Sequence, residues 1–432
     1  MDVYSGSRLG QASLKTIWRS QKQLPPIPNH FEQPTNRKWR IALYSHDTMG
    51  LGHKRRNHLI AQTLGSSALE ADILTISGMS DASNFVMPPG VDCLTLPALY
   101  KEKDGQYRSR RLDISLQEMI ALRSQVIRTS LETFAPDVLI VDNVPRGAMG
   151  ELDLTLEYLR DRTETYCILG LRDILDEPSA VRRDWQRHDN ERAIRDYYDA
   201  VWVYGDPAVY DPIQEYQFTP QTSAKLHSMG YLDRTACLQF VDEASKRAID
   251  TLNLPSGRLM LCAVGGGQDG EQLAEVFARA KFPSDAYGLI LTGPFMPKTV
   301  RQRLQAQADQ RSDLYLLEYV PEPTLLIERA DRVITMGGYN TTCEILSFQK
   351  QALIVPRIKP RQEQIVRAER LQAMGLLDML HPDRLNVKTL GEWLAQTDKL
   401  PNVRDRIDLN GLTRMPQFLG EMLGVPHIHQ SI

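Results

Sequence analysis

Short apolar runs recur along this chain from residue 40 onward, separated by longer segments with helical spacing. The first, RIALYSH at 40–46, shows no polar alternation, which predicts a strand buried on both faces. A glycine loop and a helix over 54–64 follow, then strands at 71–77 and 91–96. Leu116, Met119, Ile120, Leu122, Val126 and Ile127 fall on one helical stripe and predict a long helix over 115–134. Runs at 137–142, 166–171 and 200–204 complete a first series of strands. The pattern pauses over 206–233, where Pro207, Pro212 and Pro220 interrupt it and which reads as an interdomain connection. A second series resumes at 258–264, 287–292, 314–319, 332–335 and 353–356.

Strands apolar on both faces and alternating with helices imply parallel sheets covered on both sides. The expected fold class is therefore α/β, with two Rossmann-like doubly wound domains facing across a cleft at the carboxyl ends of their strands. The expected division is a loose polar arm at 1–38, an N-terminal domain at 39–233, a C-terminal domain at 234–400 and a tail at 401–432. A helix over 402–423 would return that tail to the first domain.

Composition narrows the class without choosing a function. With 42% apolar and 24% charged residues and a net charge of −3, the chain gives no support to non-specific nucleic-acid binding. Its five cysteines show no CxxC spacing and read as reduced core residues, which points to the cytoplasm. No apolar run approaches the ~18–20 residues of a membrane span. A stretch from 99 to 128 carries Lys101, Lys103, Arg108, Arg110, Arg111, Arg123 and Arg128 with Tyr100 and Tyr107. It reads as a charged exposed loop or as a contact for an anionic acceptor or a membrane surface.

The most informative stretch is ITMGGYNTTCEILSFQKQALIVPRIKPRQEQ at 334–364. Gly337 and Gly338 end a strand; Asn340, Thr341 and Thr342 open a helix that carries Glu344. A glycine turn before a helix start is an anion site, because unpaired N–H groups and the helix dipole point at the ligand. A carboxylate one turn further in can accept from both hydroxyls of a ribose. Glu363 and Gln364, in the loop after the next strand, can hold the hydroxyls of a sugar. Gly265, Gly266 and Gly267, followed by Gln268, open the second domain and suit close approach to a diphosphate. There is no GxGxxG fingerprint and no GxxxxGK[ST] loop, which argues against dinucleotide and NTPase readings.

The first βα loop reads Asp47-Thr48-Met49-Gly50-Leu51-Gly52-His53. Gly50 and Gly52 let the backbone approach a ligand, and His53 starts the following helix at the cleft. Lys54, Arg55 and Arg56 read most simply as a solvated face, with an anion contact as the alternative. Asp142 and Asp173 end strands at the cleft; each is open to a base or orienting role, a helix cap, or an ion pair with Arg146 or Arg172. Cys343 reads as a small core residue rather than a nucleophile.

These motifs together resemble a GT-B glycosyltransferase, similar to the group that holds the peptidoglycan lipid-intermediate N-acetylglucosaminyltransferases and the monogalactosyldiacylglycerol synthases, a family 28-like predicted glycosyltransferase. The resemblance is strongest over 314–376, in YVPEPTLLIERAD, MGGYNTTCEIL and RQEQIVRAERLQAMG. It implies that Glu344 binds the donor ribose, that Gly265–Gly267 line the diphosphate and that Val320 presents its backbone to the base. Glu363 and Gln364 would hold the sugar, and His53 matches the histidine that ends the family's first glycine loop. The first loop is one residue longer than the synthases' Asp-Thr-Gly-Gly-Gly-His, and Glu363 stands where the peptidoglycan enzyme has a glutamine.

The expected activity is hexosyl transfer from a nucleotide diphosphate sugar, UDP-linked by resemblance, to an acceptor hydroxyl with inversion. The candidate bases are His53, Asp47 and Asp142 in falling order. No metal and no cofactor are expected, the nucleotide sugar being a co-substrate; the acceptor is open between a lipid and a small metabolite, with peripheral membrane contact. The rivals are a nucleotide-sugar 2-epimerase or hydrolase of the same fold and a non-catalytic sugar-nucleotide-binding protein.

Overall fold

In a computed structural model, the described residues are 37–46, 52–78, 87–101, 107–396 and 401–425. The arm expected at 1–38 lies outside them apart from Arg37 and Lys38, as do Asp47 and Gly50 of the first glycine loop.

The first series of runs forms β1 (Trp39–Ser45), β2 (Ala71–Ser77), β3 (Val91–Thr95), the small antiparallel pair β4 (Leu99–Lys101) and β5 (Tyr107–Ser109), β6 (Val138–Asp142), β7 (Tyr166–Arg172), β8 (Ala200–Tyr204) and β9 (Leu226–Ser228). The second forms β10 (Arg258–Ala263), β11 (Ala286–Leu291), β12 (Leu314–Leu317), β13 (Arg332–Thr335), β14 (Gln351–Ile354) and β15 (Asp378–Met379). They build a seven-stranded sheet ordered β3-β2-β1-β6-β7-β8-β9 and a six-stranded sheet ordered β12-β11-β10-β13-β14-β15. Every pairing in both sheets is parallel. In each sheet the winding reverses at one place, between β1 and β6 and between β10 and β13. Loops leave a reversal point in opposite directions and open a crevice there. The loops after β1, β6, β10 and β13 therefore bring His53, Asp142, Gly265 and Gly338 to two facing crevices.

Six helices matter for the site: α1 (Gly52–Gly65), α2 (Leu116–Phe134), α3 (Glu271–Arg279), α4 (Tyr339–Ser347), α5 (Glu363–Ala373) and α6 (Gly411–Met422). Helix α2 starts with a reciprocal Ser115–Glu118 capping box. Helix α6 lies on the first sheet, where the Phe418 ring meets Trp202 edge-on at 5.7 Å. One apolar cluster runs from Ile41 and Trp202 through Tyr231, Tyr339 and Cys343 to Leu261 and Val333, so both sheets share a continuous core.

Two expectations change. The stretch 206–233 is more than a connection: it holds short helices at Pro212–Tyr216 and Pro220–Ser223 and the edge strand β9. That strand is only Leu-His-Ser, too short and polar to register as an apolar run. The basic stretch after residue 99 is not uniformly a surface. Arg123 is fully buried and donates to Glu151 at 2.5 and 2.7 Å, while Arg128 pairs with Glu132 and lies over the Tyr158 ring. Arg110 and Arg111 do remain exposed.

The halves are pinned to each other by a buried ion pair. Arg367 of α5 donates from Nε and Nη2 to the Asp173 carboxylate, just past β7, at 2.7 and 2.6 Å, with both side chains 1% exposed. Burial alone would push the Arg367 guanidinium down; the Asp173 carboxylate more than offsets this and holds it above its ordinary value. The Tyr231 hydroxyl also donates to Asp173, and the Tyr339 hydroxyl donates to the Tyr204 carbonyl at 2.9 Å. Removing one partner of such a pair leaves the other charged and dry. Arg367→Met should lower unfolding stability by about 3–5 kcal/mol in urea titration. A double change to Asp173→Leu with Arg367→Met should recover much of that loss. A single-variant effect as small as that of the exposed Arg195–Asp196 pair would contradict this.

Candidate active site

Helix α1 explains why the site is charged and dry. It packs against β1 and β2, against α6, against α4 and against the turn Arg234–Phe240, so almost every face is covered. The three cations of its first turn therefore do not form a solvated face, which corrects the expectation for Lys54, Arg55 and Arg56. Lys54 and Arg56 are buried, at 5% and 2% exposure. Arg56 donates from Nε to Asp142 Oδ1 at 3.1 Å and lies 5.6 Å from the Tyr339 ring centroid. A run of cations beside a histidine at a helix start was the signal in the sequence; the enclosure of that helix was not visible there.

His53 Nδ1 sits 2.5 Å from Asp142 Oδ2 and 3.0 Å from Arg56 Nη2. Burial would raise the Asp142 carboxyl, but Arg56 and His53 outweigh it and hold Asp142 well below the usual carboxylate range. An ionised carboxylate at that distance accepts a hydrogen bond from the ring, so Nδ1 carries the hydrogen and Nε2 the lone pair. Asp142 is thus a positioning residue and not itself a base. Its partners are His53 and Arg56, while Arg146 pairs with Asp153 instead.

His53 lines a cavity of about 410 Å³ between the two sheets, together with Gly52, Gly265, Gly266, Val320, Gly338, Asn340, Thr341, Glu344, Glu363 and Gln364. Helix α4 begins after Gly338 with no side-chain cap, which leaves its first N–H groups to whatever occupies the cavity. Glu344 is 1% exposed, and its Oε1 accepts from Thr324 Oγ1 at 2.8 Å and from Arg55 Nη2 at 3.1 Å. Its Oε2 is buried without a hydrogen-bond partner among the described residues. Arg55 comes from the opposite wall and also donates to Glu322 at 2.6 Å and Thr324 at 3.0 Å. Burial would lower the Arg55 guanidinium, yet Glu322 and Glu344 raise it overall.

The second acid repeats this arrangement. Glu363 Oε1 accepts from Arg357 at 3.1 Å, while its buried Oε2 has no partner among the described residues. Gln364 Oε1 accepts from the Arg357 backbone N–H at 2.9 Å. Asn340 donates to the Gly52 carbonyl across the cleft at 2.8 Å, and its own Oδ1 is buried and unpartnered. Two buried carboxylate oxygens and an amide oxygen thus wait in one cavity for donors, which is what hydroxyl-rich ligands supply.

Three of the expected residues have other work. Gly267 (φ +88°) does not line the cavity; a Cβ there would fall 2.1 Å from the Thr292 carbonyl oxygen, so the glycine seats one loop on the next. Gly337 (φ +78°) lies against Ile354, and its carbonyl accepts from Arg367. Gln268 is exposed outside the lining. Cys343 is buried and its thiol is pushed up to about 12 by burial, consistent with a core role. Sequence reasoning missed Arg55, Arg357 and Phe295, all in the lining, and weighed Arg172 only as an ion-pair partner.

Residues 260–403 match the family model described as Glycosyltransferase family 28 C-terminal domain. The chain is 31% identical over 133 residues to a UDP-N-acetylglucosamine--N-acetylmuramyl-(pentapeptide) pyrophosphoryl-undecaprenol N-acetylglucosamine transferase of Streptococcus uberis, covering 30% of this chain and 35% of that one. The matches span 20% and 35% of the length of two curated relatives. Among solved structures, the chain is similar to CalG4, the calicheamicin glycosyltransferase, with a TM-score of 0.57 and 14% identity over 90% of this chain and 99% of that one. It is equally similar to UDP-GlcNAc 2-epimerase from Neisseria meningitidis bound to UDP-GlcNAc, with a TM-score of 0.58 and 12% identity over 90% and 99%. At such identities the likeness establishes the fold, the GT-B arrangement of two facing Rossmann-like domains.

The tautomer assignment is directly measurable. Long-range ¹H–¹⁵N spectra of ring-labelled protein should find neutral His53 protonated at Nδ1, and Asp142→Asn should shift it toward the Nε2–H form. An Nε2–H ring in the unaltered protein would mean that Arg56, not Asp142, sets the imidazole.

Proposed function

We propose that this chain, whose residues 260–403 carry a family 28 glycosyltransferase C-terminal domain, transfers a hexose from a nucleotide diphosphate sugar to an acceptor hydroxyl. The observation that carries the reading is the unpartnered, buried Glu344 Oε2 beside an uncapped helix start in the interdomain cavity. In this reading Oε2 accepts from the ribose hydroxyls, while Arg55 and Thr324 hold Oε1 in place. The first N–H groups of α4, with those of Gly265 and Gly266, receive the diphosphate. Val320 faces the base, and Glu363 and Gln364 the sugar. A UDP-linked donor is preferred from the resemblance of the donor motifs.

The acceptor oxygen attacks the anomeric carbon from the side opposite the diphosphate, and the bond from that carbon to the diphosphate oxygen breaks. His53 Nε2 takes the acceptor proton, and Asp142 stabilises the imidazolium that results. The leaving diphosphate gains negative charge as the bond opens. The α4 dipole and the loop N–H groups answer that charge without reorganising, each well-aimed donor being worth roughly 2.7–4 kcal/mol in comparable sites. In-line attack inverts the anomeric centre. No metal or other cofactor enters this scheme.

A 2-epimerase is the second reading, favoured by the likeness to the UDP-GlcNAc-bound epimerase. Incubation with donor alone separates the two, since an epimerase converts the donor sugar and a transferase leaves it largely intact.

Calorimetry with UDP, GDP and dTDP tests the donor half. Glu344→Gln should weaken UDP by about 1.5–3 kcal/mol, on the order of tenfold to a hundredfold. Arg55→Gln should weaken UDP as well, but should leave 2′,3′-dideoxy-UDP unaffected, because it acts through the ribose acid. Equal losses for both nucleotides would make Arg55 a structural strap only, and no nucleotide binding at all would remove the donor assignment. For chemistry, His53→Gln should lower kcat by roughly 10²–10⁴-fold with donor affinity unchanged. Full activity without His53 would exclude it as the base.

A further inference from the structure

Arg172 is a cation in the cleft to which none of these steps gives a role. It ends β7 and lines the cavity from the first sheet, half-buried. Its Nε is buried and has no hydrogen-bond partner, and among the described residues no carboxylate forms an ion pair with it. The neighbouring carboxylates are committed elsewhere: Asp142 to Arg56 and His53, and Asp173 to Arg367.

The charges that act on Arg172 are mostly of its own sign. They are Arg56, Arg367 and Arg361, with Glu363 the one opposing charge. Burial and then Arg56 push its guanidinium down to about 10, against the attraction of Glu363, and it is still charged at neutral pH. A partly buried cation among cations is costly unless something negative arrives. Arg361, itself exposed, also acts on Tyr107 of the β4–β5 pair.

The location separates this charge from the diphosphate cradle. Gly265, Gly266 and the α4 start belong to the second sheet, whereas Arg172 projects from the first, within electrostatic reach of Glu363. We propose that Arg172 is the receptor for a carboxylate or phosphate group of the substrates, beyond the donor diphosphate, at the sugar end of the cleft. The planar guanidinium suits bidentate recognition of either anion, and the substrate class is therefore an anionic acceptor or a uronic-acid donor. This rests on the donor assignment above for what is meant by the sugar end, but its test does not.

The experiment is calorimetry on the full chain and on Arg172→Gln and Arg172→Lys, with UDP, UDP-glucose and UDP-glucuronate. Inorganic phosphate, glycerol 3-phosphate and galacturonate are then titrated onto the UDP-saturated protein, or onto free protein if UDP does not bind. The expected result is that Arg172→Gln keeps UDP and UDP-glucose affinity within twofold but weakens at least one anionic probe tenfold or more. A loss confined to UDP-glucuronate assigns the anion to the donor sugar; a loss for the phosphates or galacturonate assigns it to the acceptor. Arg172→Lys should fall between the two proteins, because it keeps the charge without the fork. The glutamine variant should melt no lower than the parent, since no pair is broken, and this separates binding from a structural role. The proposal is overturned if Arg172→Gln weakens UDP itself, which would make Arg172 a diphosphate contact. It is equally overturned if no anionic probe distinguishes the variant from the parent.

Discussion

Two sets of buried ion pairs reach across the cleft, and the rest of the structure depends on them. Arg55 leaves the first half to meet Glu322 and Glu344 in the second. Arg367 leaves the second half to meet Asp173 in the first. Each group alone would carry a large desolvation cost, and together they hold the two halves in one relation. Asn340 on the Gly52 carbonyl and Tyr339 on the Tyr204 carbonyl add neutral contacts along the same seam.

Charge matching also prepares the cavity for a ligand. Arg55 and Arg357 each satisfy one oxygen of a buried acid and leave the other free, so Glu344 and Glu363 stay oriented with an open acceptor. On the facing wall, Asp142 does the same for His53 by holding one ring nitrogen. In each case a buried partner fixes one end of a polar group and leaves the other to the substrate. Preorganisation of this kind spares the site from rearranging during the proposed transfer.

The two crevices face each other because both sheets reverse their winding at equivalent places. The loops after β10 and β13 deliver the glycines and the uncapped helix start; those after β1 and β6 deliver His53 and Asp142. The likeness to both a glycosyltransferase and an epimerase follows from this shared frame, which sets where a nucleotide sugar would lie without choosing its fate.

Much of this was legible in the chain. Continuous apolar runs report strands buried on both sides, and such burial depends only on local side-chain chemistry, so both sheets and most strand limits could be read. Glycine turns before helices likewise disclosed the anion site, and Glu344, Glu363 and His53 lie in the lining. The strands β9 and β15 were hidden because two or three residues at a sheet edge carry no pattern. What tertiary structure alone decided was the partnering of charge. Lys54, Arg55 and Arg56 look solvated in sequence because nothing local reports that helix α1 is enclosed by elements from the far end of the chain. Arg367 meets Asp173 across 194 residues, and no short-range spacing encodes such a meeting.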